Sequence, residues 1–157
     1  MKRLITILLA VGLASAGSAQ QPPVGTNIPD IKLRDVNGTE VALSSLQGKV
    51  VVLDFWASWC GPCRRSMPEL KEIYSKFKDK GLEVYAVSVD TDKKDWLKAI
   101  KADATPWIHV IDYSNEVAIR FKVQYIPNTF LLDKTGKIVS IDANHAALAQ
   151  QIEKLLN

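Results

Sequence analysis

The feature that most constrains this chain is the run Lys49 to Phe55, KVVVLDF, which leads within a few residues into a helical pattern. A continuous apolar run of strand length suits a strand buried on both faces. Downstream, Met67, Leu70, Ile73, Tyr74 and Phe77 recur at spacings of three and four, so they share one helical face. Charged residues fill the other face, and Gly81 ends the helix. A strand that buries both faces, followed by a helix that buries one, calls for helices packed against a sheet.

The remaining pattern agrees. Ile31-Lys32-Leu33 and Val41-Ala42-Leu43 flank Asn37-Gly38, a hairpin turn signal. Ser44 to Gln47 reads as a short helical turn closed by Gly48. Leu82 to Val89 is a second strand. Thr91 or Asp92 can cap a helix carrying Trp96, Leu97 and Ile100. Trp107 to Ile111 reads as a strand and Asn115 to Phe121 as a short helix. Thr129 to Leu132 and Ile138 to Ile141 are strands around the turn Lys134-Thr135-Gly136. Leu148, Ile152, Leu155 and Leu156 mark a closing helix. Strands alternate with helices, then two strands meet in a hairpin. The expected fold is α/β on a mixed sheet, and 157 residues suit a single domain.

The N-terminus reads differently. Lys2 and Arg3 precede a short apolar stretch from Leu4 to Leu13, and Gly17-Ser18-Ala19 offers small residues before Gln20. This is the pattern of a secretory signal peptide over residues 1–19. The alternative is an uncleaved membrane anchor, although a span wants roughly 20 mostly apolar residues. No cysteine lies near the cleavage point to support a lipoprotein. The formal charge of +3 falls to +1 once Lys2 and Arg3 are removed. No basic patch implies nucleic acid. The expected product is a soluble periplasmic protein, in a compartment where disulfides persist. Residues 20–28 form a polar lead-in containing proline.

Between the buried strand and its helix lies WASWCGPC, Trp56 to Cys63, which holds the only two cysteines. A structural staple over so small a loop contributes roughly 2 kcal/mol, against about 3 for fifteen residues. Structural zinc needs four ligands, commonly two close pairs, and no second cysteine pair exists. His109 falls in a strand, where an ordinary packed histidine is expected. His145, at the start of the last helix, is expected to be solvated. Covalent haem attachment would need histidine where Arg64 stands. Redox chemistry suits the placement best. Residues three apart in a first helical turn can form a disulfide. The free N–H groups at the helix N-terminus stabilise a thiolate at Cys60. Cys60 is then the exposed attacker, and Cys63, deeper in the helix, resolves the mixed disulfide.

VVVLDFWASWCGPC followed by Arg64 resembles the active-site segment of the thioredoxin superfamily. Pro68 stands where thioredoxins carry a helix-kinking proline, and VQYIPNTFLLDKTGKIV resembles their cis-proline segment. The likeness covers residues 29–157. The N-terminal hairpin, the signal peptide and the extra strand and helix around Trp107 to Phe121 resemble the secreted TlpA-like thiol–disulfide oxidoreductases, some of which serve cytochrome c maturation. The resemblance implies a thioredoxin-like fold with a mixed central sheet flanked by helices. It implies a cis bond before Pro127, with the Ile126 backbone free to pair with an extended substrate. Trp59, Gly61 and Pro62 would face that substrate; for Trp59, simple packing is the alternative. Asp54 would accept the proton of Cys63. The alternative for Asp54 is a strand-end acid touching solvent; if buried, its pKa should be raised.

Two positions depart from the TlpA-like pattern. Many such proteins have Asn at the place of Asp54, and Glu at the place of Ser66. Proton handling should therefore follow ordinary thioredoxins. The residues between the cysteines, Gly61-Pro62, offer no charge and no side-chain donor. With only the helix N-terminus and weak help from Arg64 and Arg65, the expected cysteine pKa is about 7 and the potential about −270 mV. The expectation is a reductant of protein disulfides, apocytochrome c among the candidates. It needs no cofactor beyond the Cys60–Cys63 disulfide, and a membrane thiol donor re-reduces it. Oxidant or isomerase activity is the alternative. A thiol peroxidase would carry Thr where Ala57 stands, and a copper chaperone a wider cysteine spacing.

Overall fold

The structure is a computed structural model that describes residues 20–157. The signal peptide expected over residues 1–19 lies outside these residues. The chain runs β1 (Lys32–Asp35), β2 (Glu40–Ala42), β3 (Val50–Trp56), α1 (Gly61–Phe77), β4 (Leu82–Ser88), α2 (Lys93–Asp103), β5 (Ile108–Ile111), α3 (Glu116–Arg120), β6 (Asn128–Leu132), β7 (Ile138–Ile141) and α4 (His145–Leu156). The seven strands form one sheet in the order β2-β1-β5-β4-β3-β6-β7. β3, β4 and β5 are parallel, while β6 and β7 return antiparallel. The α/β mixed sheet read from the sequence is therefore the observed fold.

The hairpin forms as expected, with Leu33 opposite Val41. Its turn places Gly38 at φ +84°, a conformation glycine adopts without a Cβ clash. Ile31 and Leu43 fall outside the strands. Both are buried, and Leu43 opens a short 3-10 turn, Leu43–Leu46, instead of extending β2. The hairpin lengthens the sheet by pairing β1 antiparallel to β5. At the opposite edge the lead-in is bonded to β7: Gly25 N–H donates to Ile138 O at 2.8 Å, and Ile138 N–H donates to Thr26 O at 2.9 Å. An edge strand left bare would offer unpaired backbone groups to other chains.

β3 is buried at every position, as the apolar run requires. Its residues alternate between the two faces. Val50, Val52 and Trp56 join Met67, Leu70 and Phe77 of α1, Trp96 of α2 and Ile152 of α4. Val51, Leu53 and Phe55 face the other side with Val110, Phe121 and Phe130. By this period of two, Asp54 lies on the α1 and α4 side. The helix caps are local. Asp92 accepts from Lys94 N–H at 2.6 Å to start α2, and Asn144 accepts from Ala147 N–H at 3.0 Å to start α4.

The extra strand and helix are held by aromatic packing. The ring of Phe121, just past α3, lies 5.8 Å from Phe55 and 5.7 Å from Phe130 between centroids. Phe121→Ala should destabilise the protein by about 3–5 kcal/mol, read by urea unfolding; a change within a few tenths would mean that the segment is held elsewhere.

Candidate active site

β3 ends at Trp56, and the chain turns through Ala57 to Trp59 before Cys60 caps α1. Cys60 has extended backbone angles, φ −80° and ψ 96°, and its Sγ accepts a hydrogen bond from Cys63 N–H at 3.2 Å. The helix N-terminus thus directs a backbone donor at the sulfur expected to attack. The two cysteines form a disulfide, with Cα atoms 5.3 Å apart. Asp90 fixes the loop before them. Its carboxylate accepts from Ser58 N–H at 2.9 Å, Ser58 Oγ at 2.6 Å and Ser88 Oγ at 2.7 Å. Asp90 was not among the residues singled out in the sequence. Its signal was an acid placed directly after a buried strand, at the carboxyl end where α/β sheets build their sites.

Two expectations for the cysteine loop need correction. Cys60 was expected to be exposed, but it is 4% accessible, against 1% for Cys63. In the disulfide its sulfur is bonded to Cys63 and drawn against the helix end. The exposed group beside it is Trp59, 69% accessible, so simple packing does not describe that residue. Trp56, by contrast, is buried in the core. Arg64 was expected to aid the thiolate. Its guanidinium instead makes two hydrogen bonds to Asp103 at the end of α2, at 2.9 and 2.7 Å. Arg65 does lie over the motif: a Cβ at Gly61 would stand 3.2 Å from its Nη1.

The Ile126–Pro127 bond is cis. Antiparallel pairing sets Asn128 opposite Phe55 and Thr129 opposite Asp54, so Pro127 comes beside the end of β3, where the cysteine loop begins. Asp142 holds this segment. It accepts from Thr129 N–H at 2.8 Å, Asn128 Nδ2 at 2.8 Å and Tyr125 OH at 2.7 Å. No sequence pattern marked Asp142, because its partners come from a strand and a loop that meet it only in the fold.

Asp54 is 5% accessible, so it is not a solvent-touching strand-end acid. Burial pushes its pKa up to about 6, against the lowering effect of a 3.0 Å hydrogen bond from Thr129 Oγ1. His109 is the packed histidine expected. It shares a 2.7 Å hydrogen bond between Nε2 and Thr105 Oγ1, and its ring meets those of Trp56 and Trp107. Burial lowers its pKa to about 4. His145 is not simply solvated: its Nδ1 is ion-paired with Glu69 of α1. Among the described residues no group of three or more His, Cys, Asp or Glu could hold a metal ion.

The two buried groups act on stability with opposite sign. Asp54 binds its proton more tightly folded than unfolded, so its contribution weakens as pH rises from about 4 to about 6. His109 binds its proton less tightly folded, so its contribution weakens as pH falls from about 6.5 to about 4. Asp54→Asn should therefore be more stable than wild type at pH 7 by up to about 3 kcal/mol, an advantage that vanishes near pH 4. His109→Gln should gain on wild type as pH falls over the same range. Urea midpoints across pH 4–7 check both.

A thioredoxin-like sheet with a CXXC disulfide at a helix N-terminus and a cis-proline beside it defines the class: an enzyme of dithiol/disulfide exchange. The chain belongs to the AhpC/TSA family, which matches residues 24–141. It is 39% identical over 118 residues to the thiol-disulfide oxidoreductase ResA of Geobacillus kaustophilus, covering 75% of this chain and 68% of that protein. Among solved structures, the thioredoxin domain of a thiol-disulfide oxidoreductase from Bacteroides vulgatus superposes with a TM-score of 0.82 at 34% identity, covering 87% of this chain and 99% of that one. A thiol:disulfide interchange protein from Bacteroides sp. gives 0.79 at 35% identity, covering 86% and 91%. No described helix is long and apolar enough to cross a membrane.

Proposed function

We propose that this protein reduces disulfides in other proteins outside the cytoplasm, with Cys60 as nucleophile and Cys63 as resolving thiol. The observation that carries the direction is the surroundings of Cys60. Its sulfur receives one backbone N–H, and the intervening residues, Gly61 and Pro62, bring neither charge nor side-chain donor. A thiolate stabilised only this far favours giving electrons.

The Cys60 thiolate attacks a substrate disulfide, forming a mixed disulfide and releasing one substrate thiolate. Cys63 then loses its proton and attacks the Cys60 sulfur. The second substrate thiolate leaves, and Cys60–Cys63 is oxidised. Asp54 is the acceptor of the Cys63 proton. Its burial on the α1 side of β3 and its pKa of about 6 suit that task near neutral pH. An extended substrate pairs with the Ile126 backbone beside Pro127 and rests on Trp59, Gly61 and Pro62. The exposed rings of Trp59 and Tyr125 supply apolar contact on either side. Substrates are disulfide-containing proteins of the periplasm, apocytochrome c among the candidates, and a membrane thiol donor restores the dithiol. The signal peptide read over residues 1–19 supports that compartment.

Equilibration with glutathione or dithiothreitol buffers should give a potential of about −270 mV, and a value near −120 mV would overturn the assignment as reductant. Cys60→Ser should abolish reduction of insulin disulfides, and Cys63→Ser should accumulate mixed disulfides whose partners mass spectrometry identifies. Asp54→Asn should slow resolution about 100-fold near pH 7.

A further inference from the structure

Pro127 and Tyr125 also line a cleft of about 520 Å³. Its walls include Glu69 of α1, Thr129 of β6, Asp142 and His145 of α4. His145 Nδ1 is ion-paired with Glu69 on this lining. The Thr129 hydroxyl, on the wall, donates to Asp54 Oδ1, so Asp54 sits directly behind the wall.

On its own sheet, the base in line with Asp54 is His109 of β5, opposite Ala86 and kept neutral by burial. The register partners of Asp54 are Ala86 on β4 and Thr129 on β6. The charged groups that act on it come from the segment after β7: Asp142 raises its pKa and His145 lowers it. Asp142 is itself held by Tyr125 OH, and Glu69 is the acid facing His145 from α1. An anion forming at Asp54 is therefore opposed by desolvation and Asp142, and favoured by His145.

We infer that His145 is a positioning residue for the exchange reaction: placed on the cleft wall by its pairing with Glu69, its imidazolium supplies the positive charge that lets Asp54 ionise and take the proton of Cys63. This rests on the role proposed above for Asp54. A lysine at the same place would bring a positive charge of its own.

The test uses the mature protein with insulin as substrate. Two quantities are followed against pH: the carboxyl NMR signal of Asp54 and the single-turnover rate of mixed-disulfide resolution. In His145→Ala both midpoints should move to higher pH. In His145→Lys both should return toward wild type, a rescue that a packing role would not produce. In an Asp54→Asn background, His145→Ala should leave the resolution rate unchanged. A His145→Ala protein whose Asp54 titrates as in wild type overturns the inference, as do equal shifts in the Ala and Lys variants. An Asp54→Asn protein that resolves at the wild-type rate sinks the Asp54 role itself. A slow Asp54→Asn with an unshifted His145→Ala sinks only the part given to His145.

Discussion

The architecture depends on β3 being covered on both faces. Seven consecutive positions are buried, and no single helix layer could bury them. One face takes α1, α2 and α4, and the other takes the 3-10 turn, α3 and the aromatic cluster around Phe121. Because β3 is paired to β4 on one side and β6 on the other, its end is the place where a parallel crossover and an antiparallel return meet. The cysteine loop leaves from that end, and the cis-proline segment arrives at it. The site is a product of strand order as much as of motif.

Asp54 shows what that burial costs. A carboxyl in a strand of valine, leucine and aromatic residues is held uncharged up to about pH 6, so at neutral pH its ionisation works against folding. A structural role alone would be served better by an apolar residue of similar size. The acid lies on the face of β3 toward α1, as the role proposed for it as proton acceptor of Cys63 requires. His109 sits under the opposite constraint, a base kept neutral by burial against two indole rings, in spite of the raising effect of its bond to Thr105.

Four aspartates illustrate how one residue type divides its work. Asp90 ties down the loop before Cys60. Asp103 draws Arg64 away from it. Asp142 holds the backbone and side chains around Pro127. Asp112 accepts from Val117 N–H and Ala118 N–H and so starts α3. Each gathers donors from other residues that the fold brings to it.

Much of this was legible in the residues themselves. The continuous run in β3, the spacing of three and four in α1 and the Asn37-Gly38 turn are local patterns, and local patterns determine elements. Cys60 and Cys63 are three apart, so one helical turn brings them together without help from the rest of the chain. The exposure of Cys60, the partner of Arg64 and the pairing of His145 with Glu69 were not legible. The two pairings join side chains separated by many positions in the chain, and only the packing of α1 against α2 and α4 decides which of them meet. The burial of Asp54 lies between the two cases: its strand announced it, but the Thr129 hydroxyl and the charged groups around it arrive through the pairing of β6 and the placement of α4. The sequence alone determined the cysteine pair and the helix end that it caps; the tertiary structure decided the electrostatic surroundings, because charge acts through space and not along the chain.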